Sequence, residues 1–318
     1  MTGPFGPDVV ETRSGSSGLL AGVDIGGTTT QVVLCDTELH VLARAEEPTP
    51  ALVSGDAMAA TAAGLVERLA DGRSLLGVGV GAAGVVDAVE GRILVASDSF
   101  AGWSGFPLTF VLGSRLGAPT YLDNDVNAFL RGEVSTGAIA GAHEALGITL
   151  GTGVGGALWI DGRLWDGPRG AAGEIGHIPG FGDALCTCGG RGHLETLASG
   201  RSIASRYGAA SGGRLVTARE VASLAIAGDE VALAVVTDAA DAVTQGILVT
   251  VGLLDVTTVV VGGGVSRAWP LLGPLLRAAL DRQPPVSGAT VRLEASGLGS
   301  DAVALGAAAR ARAEVLAV

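Results

Sequence analysis

The segment CTCGGRGHLE, residues 186–195, holds two of the three cysteines and one of the four histidines in this 318-residue chain. Thiolate and imidazole are zinc ligands. A disulfide between Cys186 and Cys188 would close a badly strained ring, so a metal is the natural alternative. The loop offers three donors, Cys186, Cys188 and His193. A fourth, His177, lies nine residues before Cys186 in GEIGH. Four such donors suit tetrahedral Zn2+ with no open coordination position, so the expected metal is structural. It would staple a glycine-rich stretch that packing alone holds poorly.

Three other stretches are rich in glycine and hydroxyl side chains: DIGGTTT (24–30), GTGVGG (151–156) and GGGVS (262–266). Glycine lets backbone N–H groups approach phosphate oxygens with no Cβ in the way, and threonine adds hydroxyl donors. One such turn is an ordinary hairpin as readily as a phosphate site. Two matched turns with an acid at the end of the first strand, and a third before a helix, point to a nucleotide. LDNDVNA places Asp123 and Asp125 around Asn124 at the start of a helix. An acid there is either a helix cap or a base that takes a proton from an alcohol during phosphoryl transfer, and local sequence leaves both readings open.

Elements must position these residues. LLAGVDI and TTQVVLC read as two strands flanking the first turn, with a third strand near 40–44, a helix over 55–70 and a buried strand in LLGVGVGAAG. PLTFVLGSRLG reads as a helix ended by Gly117, and PTYLDND as a strand running into the helix VNAFLRGEVSTG. The layout strand, Gly/Thr turn, strand recurs in ALGITLGTGVGGALWIDG, an internal repeat in pattern. A long helix is expected over 230–254, then strand, triple-Gly turn and helix from 256, a last strand in TVRLEAS and a last helix from 301. The expected organisation is a tail over 1–18, a small α/β domain over 19–118 joined by the helix 301–318, and a large α/β domain over 119–300 carrying the metal loop 177–193.

Composition excludes several classes. The net charge is −12 and the pI about 4.7, against a nucleic-acid or membrane-surface partner. All 20 basic residues are arginine. Without lysine, neither a Walker-type phosphate loop nor a protein-kinase strand is available. Charged residues make up 16% and hydrophobic ones 48%, the balance of a globular chain. The apolar run GILVTVGLL is too short to span a bilayer, no secretory signal is read at the start, and three cysteines suit a reducing cytoplasm.

The paired Gly/Thr hairpins, the strand-end acid and the third glycine turn resemble the superfamily of sugar kinases, Hsp70 and actin. That resemblance implies two ribonuclease H-like (actin-like ATPase) α/β domains around a central cleft that closes over ATP. Gly26, Gly27, Thr28 and Thr29 on one side, and Gly151, Thr152 and Gly153 on the other, would grip the β- and γ-phosphates. Gly262, Gly263 and Gly264 would lie beside the adenosine, and Asp24 would hold Mg2+ through water.

With GEIGH and CTCGGRGHLE added to DIGGTTT, LDNDVNA and LGTGVGG, the chain resembles the ROK family (repressors, open reading frames and kinases) from about Leu19 to Ala313. The resemblance implies an ATP-dependent hexose kinase acting on the 6-hydroxyl of glucose or a glucose-like sugar. Asp125 would be the catalytic base and Asn124 a ligand of sugar hydroxyls. Glu174, His177 and Glu195 would hold the anomeric side, with His177 also on zinc. Gly84, Asp98 and Ser99 complete the implied sugar site, and a homodimer or dimer of dimers is the implied assembly. The chain departs from the family pattern at His193, where a third cysteine is usual, at Ala83, usually proline, and at Ser99, usually asparagine. Asp98 beside Ser99, pointing inward, would favour a substrate bearing an ammonium, such as kanosamine; an amino-sugar kinase (for kanosamine, N-acetylglucosamine or N-acetylmannosamine) is the alternative. A sugar-sensing transcriptional regulator of the same family is the third reading.

Overall fold

The computed structural model describes residues 18–317; the tail expected over 1–18 falls, but for Gly18, outside the described residues. The chain divides into two α/β units. The first runs to Gly137, and includes 167–171 and the segment from Ser300. The second comprises Ala138–Asp166 and Ala172–Gly299.

The first unit opens with β1 (Leu19–Ile25), β2 (Thr29–Cys35) and β3 (Val41–Pro48), followed by α1 (Gly55–Ala70) and β4 (Leu75–Ala82). A small hairpin, β5 (Val85–Asp87) and β6 (Arg92–Val95), precedes α2 (Leu108–Leu116), β7 (Thr120–Asn124) and α3 (Asp125–Ser135). The sheet order is β3-β2-β1-β4-β7, with β1, β4 and β7 parallel and β2 and β3 antiparallel to their neighbours. β1 and β4 are nearly continuous apolar runs because both faces of the sheet are covered. Ser54 caps α1 by accepting from the Ala57 N–H. Gly117 ends α2 in the left-handed conformation that glycine adopts without strain.

The second unit repeats this plan. It contains β8 (Ala145–Leu150), β9 (Val154–Ile160), β10 (Arg163–Trp165), α4 (Glu195–Ala198), α5 (Gly200–Ala210), α6 (Ala218–Ile226) and α7 (Glu230–Leu254). β11 (Thr258–Gly262), α8 (Trp269–Arg282) and β12 (Arg292–Ala295) follow, and α9 (Ala302–Leu316) then returns to the first unit. The sheet order β10-β9-β8-β11-β12 matches the first sheet strand for strand and direction for direction. α7 is long and apolar enough to cross a membrane by length and composition, but its inward residues, from Ala232 to Val251, pack in this unit's core.

Two features differ from the sequence expectation. The first boundary falls after Gly137 and not near Pro119, because β7 pairs with β4 and α3 packs on α9. The β5–β6 hairpin was not anticipated; its strands are short and carry little pattern.

α9 lies backbone to backbone on its neighbours. A Cβ on Gly22 would stand 1.9 Å from the Ala304 carbonyl oxygen, one on Gly79 1.7 Å from that of Ala307, and one on Gly306 1.7 Å from that of Ala128. Only glycine admits that approach. The Gly79→Ala variant should therefore lose about 2–3 kcal/mol in urea denaturation, the cost of overpacking. Gly64→Ala, on the exposed face of α1 with nothing within 4 Å, should gain about 0.5–1 kcal/mol.

Candidate active site

In the first unit the acids and the first glycine turn meet at one end of the sheet. Register aligns Ile25 with Ala82 and Ala82 with Asn124, so the carboxyl ends of the parallel strands β1, β4 and β7 are level. Such ends are where α/β sheets bind ligands. Asp24 stands at the end of β1. Burial, with repulsion from Asp125 second, pushes its carboxyl up to about 8. The turn that follows is closed by Gly26 N–H to the Thr29 carbonyl, 3.1 Å, and leaves Gly27, Thr28 and Thr29 exposed.

Asn124 caps α3. Its side-chain oxygen accepts from the N–H groups of Val126 (2.9 Å) and Asn127 (3.2 Å). Its amide donates to the Gly84 carbonyl and to Asp125 Oδ1, both at 2.9 Å. Gly84 holds a φ of 107°, which side chains avoid, and a Cβ there would meet the Val95 carbonyl. Asn124 thus fixes both the Asp125 carboxylate and the bend after β4. Asp98 and Ser99 are exposed in the turn over 97–100, and Phe100 beside them lies against Gly27.

Sequence reasoning paired Asp123 with Asp125 as possible caps. The structure gives the cap to Asn124 and buries Asp123, 2% exposed, between Arg131 at 3.0 Å and Arg310 at 2.5 Å. Nothing local in the sequence announces Arg310, which comes from α9. Trp103 was likewise missed. Fully buried and stacked between Phe100 and Phe106, it donates its indole N–H to the Ala83 carbonyl next to Gly84.

The second unit gathers the other predicted residues. Gly262 of β11 is level with Thr149 of β8, and a Cβ on Gly263 would lie 2.6 Å from the Leu150 carbonyl, so the second and third glycine turns are neighbours. The Gly200 N–H donates to the Gly151 carbonyl at 2.8 Å. His177, Cys186, Cys188 and His193 place one donor atom each within 4.8 Å of one another. A tetrahedral zinc site of sulfur and nitrogen has edges of about 3.4–3.8 Å, so modest contraction brings these atoms onto one ion. His177 Nδ1 lies 3.8 Å from Cys186 Sγ, while its Nε2 lies 3.8 Å from Glu174 Oε2. Cys188 Sγ lies 3.2 Å from His193 Nδ1. Burial, the largest cause, pushes the Cys186 thiol pKa up; a zinc ion would reverse that by binding the thiolate. The loop is a tight hairpin with Leu185 bridged to Arg191 and Pro179 to His193.

Glu195, at the start of α4, is 7% exposed. Its Oε2 accepts from the Val154 N–H at 3.0 Å, and its Oε1 from the Thr187 hydroxyl at 2.7 Å. Val154 and Thr187 were not singled out from the sequence.

Two sheets of identical order, each with glycine turns at strand ends, define the actin-like ATPase fold of the sugar kinases. The chain belongs to the ROK family, whose pattern it matches over residues 20–314. It is 33% identical over 304 residues to a glucokinase of Thermotoga maritima, covering 91% of this chain and 96% of that one. It is 35% identical over 296 residues to an N-acetylmannosamine kinase of Citrobacter koseri, covering 92% and 98%. A ROK glucokinase from Streptomyces griseus, solved with glucose and AMPPNP, superposes with a TM-score of 0.82 at 31% identity, covering 93% and 100%.

The buried ion-pair cluster yields a stability prediction. Asp123→Asn removes the charge that Arg131 and Arg310 share, so urea denaturation should show a loss of about 2–4 kcal/mol. A variant within 0.5 kcal/mol of the parent would show that the cluster does not hold α9 to β7.

Proposed function

We propose that this protein is an ATP-dependent hexose kinase that transfers the γ-phosphate to the 6-hydroxyl of glucose, with Asp125 as the base. The observation that carries this reading is the Asn124–Asp125 pair at the carboxyl end of β7, beside Asp24 and the exposed turn over 26–29. Phosphoryl transfer needs positioning and charge stabilisation more than covalent chemistry. Asp125 takes the hydroxyl proton as the O–P bond forms, and Asn124 keeps its carboxylate aimed. The glycine turns over 26–28 and 151–153 supply N–H and hydroxyl donors to phosphate oxygens, and the turn over 262–264 flanks the adenosine. Two neighbouring carboxylates, with the pKa of Asp24 raised partly by Asp125, make a hard oxygen set suited to Mg2+. Asp24 would hold that ion through water, and the ion supplies neutralisation of phosphate charge.

On the sugar, Glu174 and His177 Nε2 face one another and offer an acceptor and a donor for adjacent hydroxyls, since zinc on Nδ1 leaves the ring proton on Nε2. Glu195 has further lone pairs for the same purpose, since a carboxylate accepts about four hydrogen bonds. His177, Cys186, Cys188 and His193 would hold structural zinc, which orients the His177 ring. The glucokinase relatives favour glucose. The N-acetylmannosamine kinase relative favours an N-acetylated amino sugar as the alternative, and the exposed carboxylate of Asp98 one with a free ammonium, such as kanosamine.

Coupled ADP assays over glucose, kanosamine, glucosamine, N-acetylglucosamine and N-acetylmannosamine test the reading. Glucose should give the highest kcat/KM, and Asp125→Asn should lower kcat by ~10²–10⁴ with sugar affinity kept. A variant retaining more than about a tenth of kcat, far above that range, would remove Asp125 as the base.

The metal reading has its own check. One equivalent of zinc should co-purify, and Cys188→Ala should lose it together with sugar affinity, read by metal analysis and sugar titration. Active protein free of zinc would sink the assignment.

A further inference from the structure

Glu195 touches two parts of the second unit that the proposed function treats separately. One is the cysteine–histidine loop and the other is the phosphate turn. Its Oε1 accepts from Thr187, the residue between Cys186 and Cys188, at 2.7 Å, and Cys186 Sγ lies 3.7 Å from the same oxygen. Its Oε2 accepts from the Val154 N–H, at the end of the turn over 151–153, at 3.0 Å. The turn and the carboxylate are in close contact, for a Cβ on Gly153 would stand 2.5 Å from Oε2. Glu195 is itself anchored, because Ser202 Oγ donates to its carbonyl at 2.8 Å. The path is therefore short and continuous: loop, Thr187 hydroxyl, Glu195 carboxylate, backbone of the turn.

We propose that Thr187 is a positioning residue that orients Glu195 and so makes nucleotide affinity at the turn over 151–154 depend on the state of the cysteine–histidine loop. The hydrogen bond is charge-assisted and short, the stronger class of such bonds. Without the hydroxyl, Oε1 has lost its fixed donor and the carboxylate is free to turn about its terminal torsion, which is soft. The Val154 N–H is buried with its residue, so a carboxylate that turns away leaves it without its acceptor and loosens the end of the turn. Thr187 is itself exposed, so its replacement leaves the core untouched. By linkage, a ligand that orders Glu195 from the loop side also tightens nucleotide, and nucleotide tightens that ligand. The inference rests on the reading of the turn as a phosphate site.

The test is a titration of the zinc-loaded full chain with a fluorescent ATP analogue, without sugar. Thr187→Val, the same shape without the hydroxyl, should weaken nucleotide binding roughly three- to tenfold with zinc content unchanged. Thr187→Ser should restore binding to within about twofold, because it returns the donor. Zinc removal by a chelator should weaken nucleotide binding in the parent, and less so in Thr187→Val. An unchanged nucleotide affinity in Thr187→Val, or a change confined to sugar KM, overturns the inference. Thr152→Ala separates the two readings. If it weakens nucleotide binding while Thr187→Val does not, only the inference falls. If it leaves nucleotide binding unchanged, the phosphate reading of the turn falls and takes the inference with it.

Discussion

The contact of α9 with β1, β4 and α3 is the constraint on which the first unit depends. Glycines 22, 79 and 306 let backbones touch where side chains ordinarily intervene. Alanines fill the rest of α9, with Ala304, Ala307, Ala308 and Ala311 fully buried. Few aromatic residues are spent on this packing; dispersion between closely matched small groups replaces them. Because α9 also carries Arg310 to Asp123, the same contact sets the end of β7, and with it Asn124 and Asp125. An apolar choice, glycine in mid-strand, thus controls where a charged group stands.

Each unit solves the same problem with different means. In the first, the strand ends are fixed by an amide, Asn124, and by an indole N–H from Trp103. In the second, the glycine-rich stretch has few apolar side chains to anchor it, and four sulfur and nitrogen donors converge instead. Glu195 then couples that cluster to the strand end at Val154. Packing and hydrogen bonds hold the first of these strand ends, and a convergent cysteine–histidine cluster stands where packing is thin in the second.

Much of this was legible in the residues. The spans of α1 and α7 were legible from composition, and Gly117 from its fitness as a C-terminal cap of α2. The duplicated hairpins could be read because strand, turn and strand are contiguous. The four clustered cysteines and histidines were visible because both residue types are so rare in the chain. What escaped depends on pairing across long stretches of sequence. Arg310 meets Asp123 across 187 positions, and no local pattern encodes that. The boundary at Gly137 escaped for the same reason, since only the pairing of β7 with β4 assigns it. Thr187 and Val154 act through a hydroxyl and a backbone N–H, which composition does not distinguish from any others.

The first unit is interrupted in sequence by the whole of the second, which lies within residues 138–299 ahead of α9. On the ribosome, β1, β4 and α3 emerge long before the helix that covers them. Domains generally fold as units during synthesis, and exposed apolar surface then invites aggregation. The second unit has its β8–β12 sheet complete before α9 is made, so all of its elements can pack while the first unit still lacks one. Until then one face of the first sheet lacks the helix that covers it. The unit encoded first is thereby the last to have all of its parts.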